Sequence, residues 1–122
     1  MIEVQEHPEN NIVEMTMYGS ITAQEFDDTL AKFKTAIERH GRIRVLEHIG
    51  ELNTPPIPWS KLWEDVKFGF EHLGDVTHVA VVADQGWIAV YVSMLNPLMK
   101  AELKHFKRAE LDLARDWLIQ AN

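Results

Sequence analysis

The feature that most constrains the fold is a nearly unbroken apolar run over residues 76–83, with the sequence VTHVAVVA. A short run of this kind is typical of a β-strand that is covered on both faces, as the central strands of parallel sheets are. The run therefore predicts an α/β protein in which this segment is among the most buried.

Residue patterns on both sides of this run predict the other elements. Alternating apolar and polar residues flank a turn with Pro and Asn, which indicates a β-hairpin. Thr22 and Glu25 have the spacing of a capping box and begin a helix that ends at His40 and Gly41. Asn96 and Pro97 are predicted to start a short helical turn as its N-cap and first-turn proline. The predicted strands cover residues 2–6, 12–18, 43–49, 76–83 and 102–106, and the helices cover 22–40, 59–73, 87–95 and 108–120.

This order, ββαβαβαβα, implies a mixed five-stranded sheet with helices packed over it through right-handed crossovers. The sequence has no internal repeat, low-complexity tract or linker, so residues 1–122 are expected to form one domain. The chain has no cysteine, no signal-peptide pattern and no long apolar run. We therefore expect a cytoplasmic protein, with peripheral contact at the inner membrane as an alternative.

Charge and motif content narrow the function. The chain has 12 Lys and Arg against 19 Asp and Glu, a net charge of −7, which disfavours nucleic acid as a partner. The glycines form no nucleotide-binding motif, the serines form no nucleophile elbow, and no two histidines have metal-ligand spacing. His78 is interpreted as a structural histidine of the sheet. We predict no catalytic residue, no metal and no cofactor, and hence no enzyme; an enzyme of unknown chemistry is the third alternative.

Two predicted helices carry more apolar surface than a sheet requires. The helix over 59–73 has one aromatic-rich face, and the helix over 87–95 has two apolar stripes, of which the sheet consumes about one. The second stripe packs against the neighbouring helix, or it borders an apolar ligand cavity or a homodimer surface. The candidate ligand-binding residues are Trp59, Trp63, Val66, Phe70, Trp87, Tyr91 and Met94.

A second candidate surface is polar. Phe68 falls among charged residues of the helix over 59–73, and a local basic cluster follows residue 99 in an otherwise acidic chain. Both are interpreted either as ordinary solvated surface or as contacts with an anionic membrane or acidic partner. The basic residues are Lys100, Lys104, Lys107 and Arg108.

The order of elements, the helix start at Thr22, the segment WSKLWEDVKF over 59–68, and VAVV over 79–82 followed by Trp87 resemble the SpoIIAA-like family. This bacterial group is related in fold to STAS domains and to CRAL-TRIO lipid-transfer domains. STAS regulators carry a phosphorylatable serine, usually after Asp, but Ser60 follows Trp59 here, so the Asp-Ser motif is missing. The resemblance implies the mixed sheet described above and a binding function rather than catalysis.

Two functions follow from these observations. The first is a non-enzymatic binding protein for a small apolar, amphipathic or lipid-like ligand, with transient membrane contact through a mobile helix over 59–73 that pivots at Leu52-Asn53 and Gly74. The alternative is a STAS-type regulatory protein-interaction module, similar to an anti-sigma-factor antagonist but without the usual phosphoserine motif.

Overall fold

A computed structural model describes residues 1–53, 75–98 and 100–121 of the chain. The strands are β1 (Ile2–His7), β2 (Ile12–Gly19), β3 (Ile43–Leu52), β4 (Val76–Val82) and β5 (Glu102–Phe106). The α-helices are α1 (Ala23–His40), α2 (Gly86–Leu95) and α3 (Leu111–Gln120), and short 3-10 helices cover Pro8–Asn10, Asn96–Leu98 and Arg108–Glu110. The predicted helix over 59–73 lies outside the described residues.

The five strands form one sheet in the order β1-β2-β3-β4-β5. β1 pairs antiparallel with β2, and every other neighbouring pair is parallel. The mixed five-stranded α/β sheet predicted from the sequence is therefore confirmed. β4 lies between β3 and β5, and six of its seven residues are buried, all except Thr77, as is Ala83 directly after the strand. This confirms that residues 76–83 belong to the protein interior.

Two predicted boundaries were wrong. β3 continues three residues past the predicted end at residue 49, because its pairing with β2 extends to the Gly19–Leu52 pair. The last helix was predicted to begin at Arg108, but the first turn is a 3-10 helix and the α-helix begins at Leu111.

The start of α1 shows how local sequence fixes an element. The Glu25 amide donates to Thr22 Oγ1 at 3.1 Å, and the Thr22 amide donates to Glu25 Oε1 at 3.3 Å, so the predicted capping box is present. The helix ends at Gly41, whose φ of +78° favours glycine.

The sheet separates two hydrophobic clusters. On one face, Phe33 and Ala36 of α1 and Ile88 and Val92 of α2 pack with inward residues of the strands; we call this the α1/α2 face. On the other face, Ala114 and Leu118 of α3 pack on a smaller cluster; we call this the α3 face. Right-handed crossovers between successive parallel strands place their connecting helices on one side, which explains why α1 and α2 share a face.

Candidate functional site

Helix α2 carries no charged residue over its ten positions, GWIAVYVSML. Ile88 and Val92 are fully buried against the α1/α2 face, and Leu95 packs beside them. These three residues form the apolar stripe of α2 that packs against the sheet. The two-stripe pattern predicted from the sequence therefore leaves the other stripe, Trp87, Val90, Tyr91 and Met94, on the outer face of α2.

The outer face of α2 is open to solvent. Val90 is 58% exposed, Met94 64% and Trp87 38%, although all three are large apolar side chains. The Trp87 and Tyr91 rings meet edge to face, with centroids 6.0 Å apart and an interplanar angle of 86°. One helical turn thus presents a rigid aromatic pair beside two exposed aliphatic side chains.

Side chains connect the last residues of β3 with the segments that follow β4 and β5, at the edge where open α/β sheets bind ligands. Gln85 Nε2, just before α2, donates to the Gly50 carbonyl at 2.9 Å. The Arg108 guanidinium donates to the Ile49 carbonyl at 3.2 Å, and the Arg108 amide donates to Asp84 Oδ1 at 2.9 Å. Because these contacts use the polar groups to fix the loops, they hold the start of α2 in position.

His105 and His78 also have structural partners. His105 Nε2 lies 2.8 Å from the Ala83 carbonyl, which can only accept, so this nitrogen carries the proton. His78 is buried, with Nδ1 3.0 Å from Thr77 Oγ1 and its ring edge-on to Trp117 at 5.5 Å. His78 is thus a structural histidine, as predicted.

Glu47 is the chemically unusual residue of the α1/α2 face. It lies in the middle of β3, paired with Met15 of β2 and Val81 of β4, and only 4% of it is exposed. Burial raises the pKa of its carboxyl from 4.5 to about 7. No hydrogen bond or ion pair within the described ranges reaches this carboxylate.

Sequence reasoning missed the burial of Glu47. It gave no separate role to this residue of the strand predicted over 43–49. A signal was present, because Ile43, Val45, Glu47 and Ile49 alternate along the strand and therefore share one face. That face is the interior, since Ile43, Val45 and Ile49 are all at most 1% exposed.

The predicted basic cluster is divided between different surroundings. The Lys104 ammonium lies over the rings of Phe106 and Trp117, at 5.3 and 5.9 Å from their centroids, on the α3 face. Arg108 is committed to the Ile49 carbonyl and Asp84. Lys100 and Lys107 are exposed. Whether any of the four contacts a membrane or a partner stays a prediction.

A second buried carboxylate lies on the α3 face. Glu14 Oε1 accepts from the Arg115 guanidinium at 2.7 Å, and Glu14 Oε2 lies 3.0 Å from His7 Nε2. Burial alone would raise the pKa of Glu14, but the hydrogen bonds and charges of Arg115 and His7 outweigh it and lower the pKa. The pKa of Glu14 is thus lowered, which favours its ionised form, whereas the pKa of Glu47 on the opposite face is raised to about 7.

Several predicted site residues fall outside the described residues, namely Trp59, Trp63, Val66, Phe68 and Phe70, together with Ser60. The predicted hinge at Gly74 is also outside them. In the part of the chain that the structure covers, no three His, Asp or Glu side chains gather in a metal-binding group. Within the same part, no helix has the length and apolarity to cross a membrane.

A protein-family model matches most of the chain. The SpoIIAA-like family model matches residues 12–119, from the start of β2 to the last turn of α3. The chain belongs to the SpoIIAA-like family. The predicted resemblance is confirmed.

Two solved structures have a similar fold. One is an uncharacterized DUF3478-family protein with a SpoIIAA-like fold from Shewanella loihica PV-4, with a TM-score of 0.68, 18% identity, and coverage of 97% of this chain and 92% of that one. The other is apo-SiaC from Pseudomonas aeruginosa, with a TM-score of 0.53, 14% identity, and coverage of 84% and 87%. At these identities the likeness shows the fold alone. No curated protein matches the sequence.

Proposed function

We propose that this SpoIIAA-like chain is a non-enzymatic module that binds a protein partner through the outer face of α2. The contact residues are Trp87, Val90, Tyr91 and Met94. This is the alternative function predicted from the sequence, a STAS-type protein-interaction module. The Asp-Ser phosphorylation motif of STAS regulators is missing, because Ser60 follows Trp59.

One observation carries the proposal, the exposure of Val90 and Met94 on a helix without a charge. Surface helices of globular proteins ordinarily place charged and polar residues opposite their buried stripe. Here that position holds Val90 at 58% and Met94 at 64% exposure. Exposed aliphatic residues next to an aromatic pair have the composition of the centre of a protein interface, where Trp, Tyr and Met are enriched and charges are depleted.

A protein partner fits this surface better than a membrane does. Helices that bind the membrane surface carry Lys and Arg beside their apolar face, and α2 has neither. Of the four basic residues that follow α2, Lys104 lies on the opposite face of the sheet, and Arg108 is bonded to Asp84 and the Ile49 carbonyl. Only Lys100 and Lys107 are exposed without such a contact in the described part of the chain, so few positive charges are available for a membrane contact.

The binding of a small apolar or lipid-like ligand stays a prediction. Four of its seven candidate residues fall on the segment that the structure does not describe. The three that are described lie on the outer surface of a helix, whereas small ligands occupy concave pockets that bury most of their surface. We therefore treat ligand capture as an outcome of the test.

The non-enzymatic part of the proposal has its own support. The polar side chains near the carboxyl ends of β3 and β4 bind backbone groups, namely three carbonyls and the Arg108 amide. A general acid or base needs access to a substrate in a cleft, and these groups instead hold the segment before α2.

The test compares two double variants of equal chemistry. Val90→Lys with Met94→Lys places two charges on the outer face of α2. Leu113→Lys with Ile119→Lys places two charges on α3, where the replaced residues are also exposed, at 57% and 47%. Each protein is used to purify bound molecules from its source cells, and any partner is then produced separately and titrated by calorimetry.

We expect a stoichiometric partner whose affinity falls at least about tenfold in the α2 variant and stays within about twofold in the α3 variant. Equal affinity of both variants for the reconstituted partner would refute the α2 contact. Native mass spectrometry of the wild-type protein that shows a bound lipid and no protein would replace the proposal with the ligand-binding function.

A further inference from the structure

The free edge of β1 is the second surface of interest. β1 and β5 are the two edge strands of the sheet, so each has one row of backbone groups that no strand of the described residues pairs. The phase of the β1–β2 ladder decides which residues form this row. The Tyr18 amide donates to the Met1 carbonyl at 3.0 Å, and the register continues without a bulge.

In an antiparallel ladder, hydrogen-bonded and non-hydrogen-bonded pairs alternate. Since Met1 bonds to Tyr18, the backbone groups of Glu3, Gln5 and His7 also face β2. Those of Ile2, Val4 and Glu6 therefore point outward, along the free edge. The Ile2 amide confirms this direction, because it donates to Glu25 Oε2 of α1 at 3.0 Å.

The two sheet edges differ in how they are covered. On β5, the Leu103 amide is accepted by Asn96 Oδ1 at 2.9 Å, so Asn96 closes that edge instead of acting as the N-cap expected from the sequence. On β1, Glu25 closes only the end at Ile2. Within the described ranges, no hydrogen bond reaches the amides and carbonyls of Val4 and Glu6 along this edge.

An open groove of about 460 Å³ runs beside this part of the edge. One wall is formed by Val4 and Glu6, and the other by α1. Ala31 and Thr35 are the small residues of the helical wall, and the Thr35 hydroxyl donates to the Ala31 carbonyl at 3.0 Å within the helix. Small side chains on this wall leave room for a main chain between the helix and the strand.

The charges of the groove favour an acidic occupant. Arg39 and Glu6 neutralise each other through a contact of 2.9 Å between Arg39 Nη1 and Glu6 Oε2. Lys32 is exposed on the helical wall, and no carboxylate of the described residues lies within ion-pair distance of it. The groove therefore offers one uncompensated positive charge on a protein whose net charge is −7.

We propose that an extended segment of a partner protein, carrying an acidic side chain, adds to the sheet as a sixth strand along Val4 and Glu6, between β1 and α1. Backbone hydrogen bonds hold such a strand, and side-chain contacts select it, as in other cases of β-strand addition. Ala31 and Val4 accept small apolar side chains of the segment, and Lys32 pairs with its carboxylate. β1 and α2 lie at opposite ends of the sheet, so this surface is separate from the outer face of α2.

The test uses three capped pentapeptides and nuclear magnetic resonance of the full chain. The first, acetyl-VTETV-amide, places Val, Glu and Val on one face of the strand, as contact with Val4, Ala31 and Lys32 on the same side requires. The second, acetyl-VTKTV-amide, reverses the charge. The third repeats the acidic peptide with N-methyl groups on alternate residues, which removes the donors that a strand needs without changing the charge.

We expect the acidic peptide to shift the Val4 and Glu6 amide resonances saturably and to slow their hydrogen exchange. The basic and N-methylated peptides should bind at least about threefold more weakly. Lys32→Glu should weaken the acidic peptide about fivefold, as expected for an exposed ion pair. Lys34→Glu makes the same change at a residue of α1 that does not line the groove, and it should alter the affinity less than twofold.

Three results would overturn the proposal. The first is unchanged Val4 and Glu6 resonances at millimolar peptide, and the second is equal binding of the N-methylated peptide. The third is protection of the two amides that rises with protein concentration without peptide, which would assign the edge to a second copy of the chain. Circular dichroism of both lysine variants establishes that they are folded.

Discussion

Replacing Glu47 by Gln should make the protein more stable at alkaline pH and leave it nearly unchanged in acid. The buried carboxyl has its pKa raised from 4.5 to about 7 because it is removed from water in the middle of β3. The folded state therefore holds a proton that the unfolded state releases near pH 4.5. Below that pH both states are protonated, and Glu47 carries no charge penalty.

The magnitude follows from linkage between protonation and folding. Each unit of pKa difference corresponds to about 1.4 kcal/mol, so the shift amounts to about 3 kcal/mol. This stability is present below pH 4.5, declines as pH rises, and is lost above about pH 7, where the folded state holds an ionised buried carboxylate. Gln keeps the shape and polarity of the side chain but does not ionise.

Urea unfolding of wild type and Glu47→Gln at pH 4.5, 6, 7, 8 and 9 gives the free-energy difference that checks this estimate. We expect the difference to move by about 3 kcal/mol in favour of Gln between the two ends of this series. Glu51→Gln is the matched control, because Glu51 is exposed on the same strand. A difference that is independent of pH for Glu47→Gln would refute the argument, since other titrating groups are common to both proteins.

Three further substitutions test the fold. Val81→Ala, at a residue with no exposed surface, should lower the free energy of unfolding by about 1 to 3 kcal/mol in urea. Val90→Ala, on the outer face of α2, should change it by less than about 0.5 kcal/mol. Equal losses in the two variants would contradict the assignment of β4 to the core. Gly41→Ala should lower the free energy of unfolding by about 1 to 2 kcal/mol, because φ is +78° at this residue. Gly86→Ala, in the first turn of α2, should leave the free energy of unfolding unchanged. Equal thermal midpoints of the two variants would argue against conformational strain at Gly41. Glu14→Gln should lower the free energy of unfolding by about 1 kcal/mol near neutral pH. This loss should disappear as pH falls well below 4.5, because the lowered pKa stabilises the folded state only while Glu14 is ionised. A loss that persists in acid would exclude the ion pair as its source.

The elements that were predicted correctly are those whose sequence signal is local. The capping box needs only Thr22 and Glu25, and both of its hydrogen bonds form. The apolar run over 76–83 has the composition of a doubly covered strand, and β4 has that position. The end of β3 was missed because it depends on pairing with β2, a neighbour that the sequence of β3 does not encode.

The functional residues were harder to predict because proximity in sequence does not fix the face of a strand or the partner of a side chain. Lys104 and Arg108 are near each other in the chain, yet one lies over Trp117 and the other binds Asp84. The groove beside β1 was not anticipated at all. It depends on the phase of a hydrogen-bond ladder and on the packing of α1 across it, neither of which residue types reveal.

The two faces of the sheet differ in how they treat polar groups, and this difference favours the α1/α2 side for recognition. On the α3 face, Glu14 is paired with Arg115 and His7, and Arg44 donates to the carbonyls of Leu118 and Ala121 at the end of α3. These contacts fix α3 to the sheet and satisfy the groups that make them. A partner that bound there would have to compete with existing hydrogen bonds.

The α1/α2 side differs in that it exposes apolar side chains and backbone groups that are unpaired in the described residues. Val90 and Met94 of α2 and the Val4 edge of β1 offer apolar surface and unpaired backbone groups, so a partner there replaces water rather than protein contacts. The residues that stabilise the fold are consequently different from those of the two proposed binding surfaces. Charges placed on the outer face of α2 should lower the affinity for the proposed partner at least about tenfold at little cost in stability. Loss of the Glu14 contacts should lower the free energy of unfolding and leave that affinity unchanged.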